Sequence, residues 1–342
     1  MKVSRLHGDR DLRLHEEPMP VPQDGEALVR VTAVGICGSD LHWFSEGGIG
    51  DSQLLHPLVL GHEFAGIVEH GRLAGQLVAV DPAIACGKCE FCLEGNPNFC
   101  VNMRFAGHAE NDGALREYVA WPEHCLFALP EPLNASDGAM LEALGVALHA
   151  ADLGKVRLGD RVGEFGCGPI GLLILQLVAA AGASQIIAAD RLQHRLDEAL
   201  AYKASDGFLV ENEPERAMEF NKVVWKAADR RGVDVAFEVA GDNEAVEAAI
   251  AAAKPGGKVI LVGIPSEDRT AFIASVARRK GLTIKMVRRM KNTYPRAIRL
   301  VAQGTVDVRS IVSAHYALDQ ANEAFAMAVK REGLKIMIHP SQ

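Results

Sequence analysis

Gly166-Cys167-Gly168-Pro169-Ile170-Gly171 is the stretch on which the reading of this 342-residue chain turns. Its spacing is G-x-G-x-x-G, and a short apolar run, 162–165, precedes it while a helical pattern, 170–181, follows. In a strand–turn–helix context the glycines permit a tight turn and close backbone approach, and the helix N-terminus receives a pyrophosphate. The hexapeptide alone is a weak signal, so its flanks supply the test. A second short strand, 186–189, ends at Asp190, nineteen residues beyond Gly171. A carboxylate at that distance accepts hydrogen bonds from a ribose diol and repels a 2′-phosphate, so NAD is expected rather than NADP. Arg191, the next residue, weakens that preference. Gly163 and Glu164 fit poorly, because a buried parallel strand ordinarily carries apolar, branched residues. Glu164 has no explanation in the sequence beyond a short strand.

Outward from the fingerprint, strand patterns at 233–239 and 258–264 alternate with helical patterns at 192–203, 214–230 and 243–253. Such alternation implies a parallel sheet with helices on both faces. The first third differs: 27–33 alternates, 66–69 and 77–80 are brief apolar runs, and Gly and Pro punctuate them. After about residue 288 come a helix at 294–303, a strand near His315 and an amphipathic helix at 318–330. The expected fold class is α/β, with a parallel-sheet domain inserted into a β-rich domain built from both ends of the chain. The length suits roughly two domains of about 150 residues.

Composition bounds the function. Hydrophobic residues make up 49% and charged residues 23%, which excludes a disordered chain. The net charge of −8 argues against a nucleic-acid or anionic-membrane surface. The first 17 residues mix both charges and lack an apolar segment of the secretory kind, and the longest apolar stretch, 170–183, is broken by Gln176. A cytoplasmic location is expected, where thiols stay reduced.

Four of the seven cysteines crowd together as Cys86, Cys89, Cys92 and Cys100. Two-residue gaps turn successive thiolates toward one centre, and the Gly-Asn-Pro-Asn segment brings the fourth round. Four thiolates close a tetrahedral shell, so a structural zinc is expected; an iron–sulfur cluster uses a similar run. A second constellation is looser. Cys37 follows a strand pattern, and His62 and Glu63 follow at 62–63. Thiolate, imidazole and carboxylate suit a zinc that keeps an open position for substrate.

Together these residues resemble the zinc-dependent medium-chain alcohol dehydrogenases, and within them the sorbitol (polyol) dehydrogenase branch. The resemblance runs almost end to end, through GICGSDLHW (35–43), LGHEFAG (60–66), the cysteine lobe, LEALGVALHA (141–150), GCGPIG (166–171), FEVAG (237–241), VILVGIP (259–265), NTYP (292–295) and GLKIMI (333–338). It implies a GroES-like catalytic domain over 1–145 and 288–342, with a structural-zinc lobe at 86–100, and a Rossmann NAD-binding domain over 146–287.

By the same resemblance Cys37, His62 and Glu63 approach the catalytic zinc, and Glu142 stands near it directly or through water. The branch shows both arrangements, so the inner-sphere carboxylate stays open between Glu63 and Glu142. Ser39 is the implied proton acceptor from the alcohol, His42 a further step outward, and Arg289 a partner of the substrate hydroxyls. Gly166, Gly168, Pro169, Ile170, Gly171, Asp190, Arg195, Val262 and Ile264 form the implied cofactor set. The implied reaction is reversible oxidation of a secondary alcohol of a small polyol, with NAD and two zincs per chain, in a homotetramer or homodimer.

Trp43 and Met290 stand where the branch commonly has tyrosines, and 70–80 is shorter than usual. Both departures put the substrate in doubt, so an L-idonate, threonine or 2,3-butanediol dehydrogenase is the alternative. Threonine enzymes usually place an aspartate at the position of Glu142. A zinc-independent reductase of the superfamily typically lacks Cys37 and His62. A non-enzymatic zinc-binding interaction module is the remote reading.

Overall fold

The computed structural model describes residues 1–210, 225 and 231–341. The helix expected at 214–230 falls, apart from Trp225, outside the described residues. The chain divides into two compact units, Met1–Gly145 with Lys291–Gln342, and Val146–Met290. Arg289, assigned by the resemblance to the C-terminal segment, therefore belongs to the second unit.

The first unit begins with an antiparallel hairpin, β1 (Lys2–Leu6) and β2 (Leu12–Glu16). β3 (Glu26–Gly35) buries Ala27, Val29, Val31 and Ala33 and turns the intervening residues outward, the period-two pattern of a half-buried strand. α1 (Gly38–Glu46) follows at once, and β4 (Glu63–His70) pairs antiparallel with β3. Gly35 lies opposite Glu63 in that register, and a Cβ on Gly35 would come within 2.3 Å of Glu63 Oε2. A glycine is required here because a carboxylate occupies the space. β5 (Leu77–Val80), β6 (Tyr118–Pro122), β7 (Leu126–Ala128) and the long helix α2 (Ala135–Gly154) complete this segment. At the start of α2, Asn134 and Asp137 exchange hydrogen bonds between side chain and backbone N–H at 2.8 and 3.0 Å, which caps the helix.

The second unit is built on β8 (Arg161–Phe165), α3 (Pro169–Ala180), β9 (Gln185–Asp190), α4 (Gln193–Ala201), β10 (Asp206–Leu209), β11 (Val233–Glu238), α5 (Asn243–Ala252), β12 (Ala253–Leu261), α6 (Ala274–Lys280) and β13 (Thr283–Met286). Its six strands run parallel in the order β10-β9-β8-β11-β12-β13, the doubly wound arrangement in which strand order reverses beside the first strand. β12 stops at Leu261, short of the expected end at 264, because Val262 and Gly263 turn their N–H groups onto the Glu238 carbonyl at 2.8 and 3.2 Å. Gly163 is explained by crowding: a Cβ there would lie 2.9 Å from the Phe165 ring. Glu164 is fully buried in the central strand, and among the described residues neither carboxyl oxygen has a hydrogen-bond partner.

The chain returns to the first unit with α7 (Tyr294–Ala302), β14 (Val312–Ala317), α8 (Ala321–Lys330) and β15 (Lys335–His339). The helix expected from 318 opens as a 3₁₀ turn, Leu318–Gln320, because the Gln320 side chain accepts the Ala317 N–H at 3.1 Å. β14 and β15 complete a seven-stranded sheet in the order β7-β5-β4-β3-β15-β14, with β6 also on β3. Its core gathers Val29, Phe64, Val78, Trp121, Phe325 and Ile338. Among the described residues no helix is long and apolar enough to cross a membrane.

Candidate active site and metal centres

The end of β3, the start of α1 and the start of β4 assemble the first cluster. Cys37 is the N-cap of α1, between the end of β3 and the helix, and its N–H donates to Asp40 Oδ2 at 2.9 Å. His62 and Glu63 stand at the start of β4. The ligand atoms of Cys37, His62 and Glu63 lie within 4.8 Å of one another, with both His62 and Glu63 buried. This donor set fits a zinc with room for one further ligand. Behind the imidazole, Asp40 Oδ1 is 3.3 Å from His62 Nδ1, and it also accepts the Gly61 N–H at 3.3 Å. Burial alone would lower the His62 pKa, but the Asp40 charge and the Cys37 thiolate raise it well above the usual value. A carboxylate in this place fixes the tautomer and direction of a ligating histidine and raises its basicity.

Ser39 Oγ is 3.4 Å from His62 Nε2, on the ligand side of the ring. His42 lies one turn further along α1, where its Nδ1 meets the Glu46 carboxylate at 3.1 Å. Among the described residues no hydrogen bond joins Ser39 to His42. Glu142, on α2, is buried, and burial, opposed by His62 and reinforced by Glu63, pushes its carboxyl up to about 7. Glu63 itself is held from the other side: Lys335 Nζ donates to Oε1 at 2.7 Å and to Oε2 at 2.6 Å. Asp40 and Lys335 were not among the expected site residues. Asp40 stands within the quoted GICGSDLHW motif, and Lys335 within GLKIMI, so the signal was present without a role attached.

The four-cysteine lobe forms a second centre. Cys86, Cys89, Cys92 and Cys100 bring their sulfurs within 4.8 Å of one another. The Cys86 N–H points at Cys100 Sγ at 3.2 Å, and the backbone N–H groups of Lys88 and Cys89 bring the Cys86 thiol down to about 6. Backbone donors aimed at sulfur favour the thiolate that a metal requires. The set fits a closed, structural zinc.

In the second unit the fingerprint turn meets each demand made of its glycines. Gly166 has φ 112°, and a Cβ on Gly171 would lie 2.0 Å from the Gly166 carbonyl. Gly168 caps α3, with Pro169 and Ile170 in the first turn, and a Cβ on Gly168 would meet only Arg195 Nη1, at 3.5 Å. That open face above a helix N-terminus has the shape and the N–H donors that a pyrophosphate needs. Asp190 ends β9, accepting the Cys167 N–H at 2.7 Å and the Leu192 N–H at 2.8 Å. A carboxylate has about four acceptor sites, so both oxygens keep capacity for a ribose diol. Val262 and Ile264 follow the end of β12, where Gly263 packs against Gly241.

Residues 23–131 match the alcohol dehydrogenase GroES-like domain, and residues 169–303 match the zinc-binding dehydrogenase family. A sorbitol dehydrogenase of Bacillus subtilis is 35% identical over 350 aligned positions, covering 100% of this chain and 98% of that protein. The chain belongs to the zinc-dependent medium-chain alcohol dehydrogenases, in their sorbitol dehydrogenase-like branch. A probable D-xylulose reductase A of Arthroderma otae is 36% identical, with 97% of this chain and 95% of that protein covered. Among solved structures, L-idonate 5-dehydrogenase of Escherichia coli superposes with a TM-score of 0.90 at 29% identity, over 99% of this chain and 98% of that one. Membership makes this chain an NAD-linked alcohol dehydrogenase with zinc and NAD as cofactors.

Proposed function

We propose that this enzyme reversibly oxidises a secondary alcohol of a sorbitol- or xylitol-like polyol to the ketose. The observation that carries the reading is the Cys37–His62–Glu63 cluster with the Ser39 hydroxyl beside it, 3.4 Å from His62 Nε2. Full-length similarity to a sorbitol dehydrogenase supports the substrate class. When bound, zinc supplies a Lewis acid that makes an alcohol proton easier to remove, and NAD supplies the hydride acceptor. Cys37, His62 and a carboxylate, Glu63 or Glu142, hold the metal. Asp40 fixes the imidazole, Ser39 takes the alcohol proton, and His42 with Glu46 offers it a way out. Arg289 is assigned to the remaining substrate hydroxyls on the resemblance. Two zincs per chain, a homotetramer or homodimer and a cytoplasmic location complete the proposal.

A second reading is a sibling dehydrogenase acting on L-idonate or 2,3-butanediol. Trp43 favours keeping it, since this buried ring packs edge-on against His108 and offers no phenol to a polyol. A panel of D-sorbitol, xylitol, L-idonate, L-threonine and 2,3-butanediol, compared by kcat/KM with NAD, decides between them. A tenfold preference for any non-polyol substrate overturns the first reading.

A further inference from the structure

Lys335 and Glu63 come together across an intervening strand. Lys335 opens β15, Glu63 opens β4, and β3 lies between them in the sheet. The missing side chain at Gly35, the residue of β3 opposite Glu63, leaves the gap through which the two meet. The ammonium uses its three donors on Glu63 Oε1, Glu63 Oε2 and the Ile36 carbonyl, at 2.7, 2.6 and 3.0 Å. Both partners are withdrawn from water, with Lys335 3% and Glu63 0% exposed. Cys37 and Glu142 also act on the ammonium electrostatically, and both favour its charged form.

We infer that Lys335 is a positioning residue that competes with the catalytic metal for the Glu63 carboxylate. The inference rests on the reading of Cys37 and His62 as ligands of that metal. Without Lys335, the Glu63 carboxylate would stand unopposed beside the Cys37 thiolate and the His62 imidazole and would give the metal its full charge. An ammonium on Glu63 draws off the charge that this carboxylate would give the metal. The metal then stays electron-poor and keeps an exchangeable position, both of which activation of an alcohol requires. Removing the ammonium should therefore tighten metal binding while slowing turnover, the reverse of what simple damage to a site produces.

The test is zinc loss from the full-length holoenzyme to a chelator, followed with a zinc-responsive dye. The component absent from Cys37→Ser defines this site. In Lys335→Met the zinc affinity of that component should rise at least tenfold, with kcat reduced. Cobalt exchanged into the site should show a shifted visible band. Lys335→Arg should behave as wild type. Lys335→Met combined with Glu63→Gln should return the affinity and the band to wild-type values, because a neutral amide needs no counter-ion. Unchanged or weakened zinc binding in Lys335→Met, or equal behaviour of the single and double variants, overturns the inference. If Cys37→Ser loses no component, the ligand reading itself falls, and the inference with it.

Discussion

Asp40 Oδ1 and His62 Nδ1 are 3.3 Å apart, and both side chains are buried. The same carboxylate accepts the N–H groups of Cys37 and Gly61, so one residue braces two proposed metal ligands, Cys37 and His62, and the turn before the second. Outer partners of metal ligands typically contribute about 10–100-fold in affinity or activity. Asp40→Asn leaves one oxygen where two accept, Oδ2 from the Cys37 N–H and Oδ1 from the Gly61 N–H, and removes the charge behind the imidazole. It should weaken zinc at this site, and lower kcat/KM for alcohol oxidation, by about that factor. Zinc titration against a chelator checks the first effect and steady-state kinetics the second.

The cofactor preference depends on what occupies Arg191. Its guanidinium reaches Glu244 Oε2 at 2.7 Å and Asp242 Oδ2 at 3.5 Å, so acids on α5 and its cap engage the cation that follows Asp190. Such half-exposed pairs are weak, on the order of 1 kcal/mol or less. Glu244→Ala should therefore release Arg191 and raise kcat/KM with NADP several-fold, leaving NAD almost unaffected. Wild type should prefer NAD by more than about tenfold, roughly 1.4 kcal/mol. Parallel kinetics with both cofactors measure each ratio, and an NADP-preferring wild type would sink the role given to Asp190.

The fingerprint and the lobe were legible because each is local. The glycines at 166, 168 and 171 share one local turn, although the backbone that crowds Gly166 comes from Val239 and Ala240, and four thiols within fifteen positions have few other uses. The open metal site was half legible. Cys37, His62 and Glu63 could be picked by donor type, but Asp40 sits in the first turn of α1, where its side chain also accepts the N–H of the N-cap, Cys37. Lys335 lies 272 residues from Glu63, and only the pairing of β15 and β4 with β3 brings the two together. The boundary of β12 was missed for a similar reason, since the Glu238 carbonyl that ends it belongs to another strand. Residues that act through the tertiary fold leave no periodicity to read.

The two metal centres should separate cleanly by stoichiometry. Wild type should hold about two zincs per chain, Cys37→Ser about one, and Cys92→Ser about one, by elemental analysis of gel-filtered protein. The variants differ in what fails. Cys37→Ser should fold normally and lose NAD-linked alcohol oxidation. The lobe has little apolar packing of its own, with Leu93 75% and Val101 69% exposed, so its shape should depend on bound metal. Cys92→Ser should open 86–100 to limited proteolysis while the rest of the chain stays resistant. A lobe equally resistant in both variants would show that its shape does not depend on zinc.

Glu164 is a fault that the fold tolerates, and it gives stability a pH dependence. Burial first, then the nearby Glu238, raise its pKa well above 4.5, while burial, opposed by backbone donors, brings Glu238 up to about 7. Both acids bind protons more tightly folded than unfolded, so the native state holds the extra protons and stability falls as pH rises above about 4.5. The Glu238 share of that loss runs through its folded value of about 7 and ends only above it, and the Glu164 share adds to it with the same sign. Valine has about the same volume and suits a central parallel strand, so Glu164→Val removes two unpaired oxygens without opening a cavity. It should stabilise the chain by about 1–3 kcal/mol, with a larger gain at pH 8 than at pH 6. Thermal unfolding at the two pH values measures this. An equal or smaller gain at pH 8 would mean that Glu164 does not ionise in that range.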